Sequence, residues 1–110
     1  MKNECCGFRY TRILLSLLLV AVVSLSGCTD PEKAKAEHIQ RGEQYLKDLK
    51  YNEASLEFRN AIQIDERSGP AHWGLARAFE GLQRLPEMIT ELQKTLEHDK
   101  THLDARFKLA

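Results

Sequence analysis

Residues 53–65, EASLEFRNAIQID, align with residues 87–99, EMITELQKTLEHD, at an offset of 34. Glu53 then meets Glu87, Glu57 meets Glu91, Phe58 meets Leu92, Ile62 meets Leu96 and Asp65 meets Asp99. Upstream, His38 meets His72, Gly42 meets Ala76 and Tyr45 meets Phe79. The same step carries Ala71, Leu75 and Ala76 onto Ala105, Leu109 and Ala110. A chain that matches itself at this period is confined to architectures in which one supersecondary unit stacks on the next.

A small residue lies three before an aromatic in the first half of each copy, as Gly42 with Tyr45 and Ala76 with Phe79. In the second half, Ala54, Phe58 and Ala61 give small, large and small at steps of four and three. Small residues let two helices approach closely, and the large side chain fills the gap beside them. In period and pattern the chain resembles the tetratricopeptide repeat, a helix-turn-helix unit. The second copy departs from the pattern with Met88, Leu92 and Thr95, and His38 and His72 stand where tryptophan usually opens the first helix. Arg41 replaces a customary leucine that Leu75 restores, and Glu66 and Lys100 replace the customary proline after the second helix.

The fold expected is all-α: a helical solenoid of two repeats, 35–68 and 69–102, with the start of a third at 103–110. Helices are predicted at 31–48, 51–66, 70–82, 86–99 and 103–110. Asp30 is placed to cap the first, with Pro31 in its first turn and Glu32 near the positive end of its dipole. Pro86 falls where a first-turn proline is tolerated. Solenoids of this kind bury a continuous core with about three or more repeats and need a polar capping helix. The expectation is therefore a shortened version of a longer protein; alternatively, the last short helix acts as the cap, or the chain oligomerises.

The N-terminal region has a different composition. The stub MKNECCGFRYTR carries Lys2, Arg9 and Arg12 against Glu4, and the 13 residues of ILLSLLLVAVVSL that follow carry no charge. A membrane span needs about 20 apolar residues, so a cleaved signal peptide over 1–27 is the expectation. Leu25, Ser26, Gly27 and Cys28 resemble the lipobox of bacterial lipoproteins at all four positions. That resemblance implies recognition of Leu25, Ser26 and Gly27 by the signal peptidase, cleavage after Gly27 and a diacylglycerol thioether on Cys28. Two or more acyl chains, palmitate among them, would anchor the chain stably. The mature chain would begin with the lipid-anchored segment 28–34. An ordinary secretory signal is disfavoured, because Cys5 and Cys6 leave with the stub and Cys28 then has no pairing partner.

Loss of Lys2, Arg9, Arg12 and Glu4 leaves a net charge of −2 on the mature chain. That gives no basic excess for nucleic acid. The sequence has no Gly-rich phosphate loop, no Gly-x-Ser-x-Gly and no remaining free thiol, so no enzyme activity, cofactor or small-molecule substrate is expected. The glutamates read as exposed helix faces. His98 and His102 are four apart, but the spacing crosses the junction between repeats, where a solvated loop is expected rather than a metal site. His38 and His72 share one repeated position and are expected between helices.

In tetratricopeptide folds the first helix of each repeat lines a concave groove. The face concerned carries Ile39, Glu43 and Leu46, then Trp73, Arg77 and Glu80, then Phe107. Ile39, Trp73 and Phe107 are 34 apart, so stacking sets them in a row. One reading is an apolar-aromatic strip for a peptide or partner helix, with Arg77 and Lys47 available to acidic groups. The other is that the same side chains cover seams between neighbouring first helices, and for Ile39 and Leu46 the two weigh equally. Trp73 leans toward binding, because Gly74 and Gly81 offer it little local cover.

These features together imply a membrane-anchored periplasmic scaffold for a protein partner, of the sort found in envelope, secretion or exopolysaccharide assembly. Thr29 after the cysteine favours the outer membrane over the inner. The alternatives are a non-catalytic regulatory part of a longer envelope enzyme, or a soluble secreted binding module.

Overall fold

The computed structural model describes residues 29–110; the expected signal peptide and lipobox, with Leu25, Ser26, Gly27 and Cys28, lie outside them. The described chain is five helices with no strand: α1 Pro31–Lys47, α2 Tyr51–Ile64, α3 Gly69–Gly81, α4 Leu85–His98 and α5 Leu103–Leu109. They form two antiparallel hairpins, α1–α2 and α3–α4, followed by α5. Each predicted helix is present, with ends displaced by at most two residues.

The helix ends follow from local chemistry. The Asp30 carboxylate accepts from the Glu32 amide at 3.1 Å and Pro31 opens α1, as the sequence predicts. Ser68 Oγ accepts from the Ala71 amide at 3.4 Å to cap α3. His102 Nδ1 accepts from the Ala105 amide at 3.3 Å to cap α5. Ahead of both caps an aspartate folds back on the chain. Asp65 accepts from the Arg67 amide at 3.0 Å, and Asp99 accepts from the Thr101 amide at 3.0 Å. These side-chain turns compete with further helix and end α2 and α4.

Within each hairpin the turn is a Schellman motif. After α1, the Lys50 amide bonds to the Tyr45 carbonyl at 2.9 Å and the Leu49 amide to that of Leu46 at 3.1 Å. After α3, the Arg84 amide bonds to Phe79 at 2.9 Å and the Gln83 amide to Glu80 at 3.0 Å. The motif needs a left-handed residue, and here it falls on Leu49 (φ 58°) and Gln83 (φ 59°) rather than on glycine. These positions are 34 apart, as are the caps and the aspartate turns.

Phe58 on α2 is fully buried at the centre of the core, with Leu46, Ala54, Leu75, Ala78 and Phe79 around it. Burying such a ring contributes about 1.5–3 kcal/mol. Its room comes from two glycines. A Cβ on Gly42 of α1 would lie 2.7 Å from the Phe58 ring, and one on Gly74 of α3 would lie 2.2 Å from it. One aromatic side chain thus joins three helices. Ala76, Leu92 and Ala105 form a second, smaller core among α3, α4 and α5, flanked by Trp73, Met88, Leu96 and Leu109.

Candidate functional site

Two histidine–glutamate pairs link the first and second helices of the hairpins. His38 Nδ1 lies 2.6 Å from Glu57 Oε2, and His72 Nδ1 lies 2.6 Å from Glu91 Oε2. The histidines are 34 apart, and so are the glutamates. The interhelical position expected for the histidines is thus filled. The glutamates depart from expectation: Glu91 is only 8 % exposed and Glu57 is half-buried. Charge on a helix is expected to be solvated, but these two carboxylates face inward because a histidine on the facing helix holds each one.

His72 is the better defined of the two. It is 3 % exposed, and its Nε2 donates to the Glu66 carbonyl at 2.9 Å. With Nδ1 toward a carboxylate, both ring nitrogens act as donors only in the imidazolium form. The Glu91 hydrogen bond accordingly raises the His72 pKa above 6.5, against an opposing pull from burial. For Glu91, burial pulls upward, but hydrogen bonds from His72 and Lys94 outweigh it and the carboxyl titrates below its ordinary value. Lys94 Nζ reaches the other Glu91 oxygen at 3.0 Å, and the His98 ring stacks on His72 at 5.8 Å between centroids. Glu57 is lowered in the same way, with burial opposed by hydrogen bonds from His38 and Arg41.

This pair forms the floor of a cavity of about 430 Å³ between α2 and α4 over α3. Arg59 and Arg84 stand over the Phe79 ring at its rim, 5.5 and 4.9 Å from the centroid. The pair's polar atoms are satisfied by each other, by the Glu66 carbonyl and by Lys94, so the pair ties α3 to α4. Glu57 and Glu91 carried a sequence signal: identical residues at the repeat offset, each 19 after a histidine.

The residues expected to form a groove are spread over several environments. Leu46 is 7 % exposed in the main core, so it packs and presents no groove surface. Ile39 is half-buried against that core. Trp73 is half-buried against the second core, with the His102 ring 4.6 Å away and tilted across it. Gly74 and Gly81 make room for Phe58 and Tyr51, not for Trp73, so the indole has more cover than those glycines suggested. Phe107 is 77 % exposed.

The charged members all sit in ion pairs between first helices. Arg77 donates to both Glu43 oxygens at 3.0 and 2.9 Å and ties α1 to α3. That engagement removes Arg77 as a free site for acidic groups. Lys108 donates to both Glu80 oxygens at 2.6 and 2.7 Å and ties α3 to α5. Such half-exposed pairs contribute about 0–1 kcal/mol each, so they set the register of α1, α3 and α5 more than their stability.

His98 stacks on His72 and His102 caps α5, so the two have separate structural tasks. Among the described residues no helix is long and apolar enough to cross a membrane, and no three His, Cys, Asp or Glu side chains converge as metal ligands. No protein-family model matches the chain. No curated protein matches it significantly.

Proposed function

We propose that the chain is a lipid-anchored periplasmic scaffold of the tetratricopeptide-repeat type, which holds a protein partner against the exposed side of its first helices. One observation carries the reading. The two hairpins share a single internal register, in which caps, turns, left-handed residues and His–Glu pairs all recur at 34 residues. A stack of like hairpins is suited to presenting an extended surface.

The surface concerned runs along Ile39, Glu43, Trp73, Arg77, Glu80 and Phe107. Paired charges give it a fixed pattern, and Trp73 and Phe107 give it aromatic anchors of the kind that dominate interfaces. Membrane attachment rests on Leu25, Ser26, Gly27 and Cys28 following a basic stub and a 13-residue apolar core. Since α1 begins at Pro31, acylated Cys28 would stand only Thr29 and Asp30 away from it. The helices would then lie close to the lipid surface, with the outer membrane favoured.

Crosslinking and co-purification from detergent-solubilised membranes test the scaffold. Trp73→Ala is expected to reduce recovery of the partner severalfold, and recovery equal to wild type would remove the groove assignment. Intact mass of the mature chain tests the anchor. Acyl chains are expected on Cys28, and Cys28→Ser is expected to leave an unprocessed or unanchored chain. Wild-type chain found soluble and without acyl mass would overturn this part of the reading.

A further inference from the structure

His72, Leu75 and Phe79 follow one another along one side of α3 and face the gap between α2 and α4. At 1.5 Å per residue they span about 10 Å of helix. His72 is 3 % exposed, and Leu75 and Phe79 are each 4 % exposed. With Ile62 of α2 they form the floor of the cavity of about 430 Å³, whose walls come from α2, α3 and α4. That volume falls in the range of small-molecule sites, about 300–1,000 Å³.

The charges around this apolar floor do not balance. Arg59, Arg84, Lys94 and His72 border it against two carboxylates, Glu87 and Glu91. Arg84 donates to Glu87 at 2.9 Å, and Glu91 takes both His72 and Lys94. No carboxylate of the cavity is left for Arg59. On a mature chain of net charge −2, the sign is locally reversed.

The excess lies at the Phe79 end. Arg59 and Arg84 both stand over the Phe79 ring, at 5.5 and 4.9 Å from its centroid. A guanidinium over an aromatic ring uses its face, so the N–H donors on its edge stay free for an acceptor. Two guanidinium groups gathered on one ring repel each other, and Glu87 neutralises only Arg84. A single negative charge completes this end, and a carboxylate can take paired N–H donors from a guanidinium fork. From there the floor continues over Leu75 and Ile62 as apolar surface.

We propose that the cavity between α2 and α4 binds a small organic monocarboxylate with an apolar body. Its carboxylate accepts from Arg59 and Arg84, and its body lies on Phe79, Leu75 and Ile62. The cavity shares no residue with the groove along the first helices, and the proposal rests neither on that groove nor on the lipid anchor. Composition alone pointed to no small-molecule ligand, because these side chains are gathered from three helices only by the fold.

The probe is 4-phenylbutanoate, titrated into the protein as isolated, in non-ionic detergent, and followed by methyl NMR. The Ile62 and Leu75 methyl signals are expected to shift saturably with a Kd of about 1 mM or below, the scale for so small a ligand. The neutral 4-phenylbutanamide is expected to bind about tenfold or more weakly, since it loses the charged hydrogen bonds. Acetate, which lacks the apolar body, is expected to give no saturable shift at the same concentrations. Arg59→Gln is expected to weaken 4-phenylbutanoate about tenfold or more. Gln63→Trp, which puts a bulky ring at an exposed position of the wall, is expected to abolish binding. Trp73→Ala in the groove and Arg106→Gln, an exposed cation elsewhere, are expected to leave binding within about twofold. Arg59 and Gln63 are exposed, so their variants are expected to keep wild-type circular dichroism and ligand-free Tm.

No saturable shift, equal binding of acid and amide, or binding indifferent to Arg59→Gln would overturn the proposal. A lowered Tm in Arg59→Gln with unaltered binding would show that Arg59 only packs on Phe79, and would overturn it too. So would loss of a co-purified protein in Gln63→Trp without any binding of 4-phenylbutanoate, which would assign the cavity to a protein side chain.

Discussion

His72 carries a pH dependence whose sign follows from its surroundings. Its raised pKa means that the folded state holds the proton more tightly than the unfolded chain. The stability this confers is complete below the ordinary value of 6.5 and is lost as pH rises through the folded value. Glu91, with a lowered pKa, contributes fully above its ordinary 4.5 and loses that contribution as pH falls through its folded value. The pair therefore stabilises most between 4.5 and 6.5. Thermal melts from about pH 5 to about pH 9 are expected to show Tm falling on the alkaline side, as linkage requires. Glu91→Gln is expected to cost about 1–3 kcal/mol in the acidic part of that range and to flatten the alkaline fall. Parallel pH curves for the two proteins would show that the pair does not couple folding to protonation.

At the scale of the element, the hairpin turns hold the clearest conflict between sequence and backbone. A left-handed conformation costs an L-residue about 1–2 kcal/mol, and glycine avoids it. Leu49 and Gln83 bear that cost, and both side chains point into solvent. Gln83→Gly and Leu49→Gly are therefore each expected to stabilise the fold by about 0.5–1 kcal/mol, net of glycine's greater freedom in the unfolded chain. A shift of the urea midpoint to higher concentration with an unchanged slope would bear this out; a shift to lower concentration would mean that the side chains contribute packing. Helix ends were legible because capping is local, as Asp30 and Pro31 show. The Schellman turns were not, since neither turn carries the glycine that marks one.

Over the whole molecule, Phe58 unites the hairpins, because its ring lies between Gly42 of α1 and Gly74 of α3. Phe58→Ala is expected to cost about 3–5 kcal/mol, as for a buried aromatic. Leu56→Ala, on the exposed side of the same helix, is expected to stay within about 0.5 kcal/mol. Chemical denaturation followed by circular dichroism compares them, and similar losses would show that α2 stabilises the fold without Phe58 as its centre. The period of the chain was plain from residues such as Phe58 and Leu92, because packing of like units demands like side chains at like positions. The sequence also marked His38 and His72 as interhelical, since one position repeated in both copies. It could not assign their partners. Glutamate suits a solvated helix face as well as a buried pair, and only the facing helix decides which it occupies. Leu46 and Arg77 repeat the lesson: helical spacing put them on a plausible binding face, and the neighbouring helix took one into the core and the other into an ion pair. Helix positions and their period thus came from the chain alone, because both rest on contacts a few residues apart. Which charges are free and which apolar faces remain open came only from tertiary packing, because these depend on side chains 19 or 34 residues away.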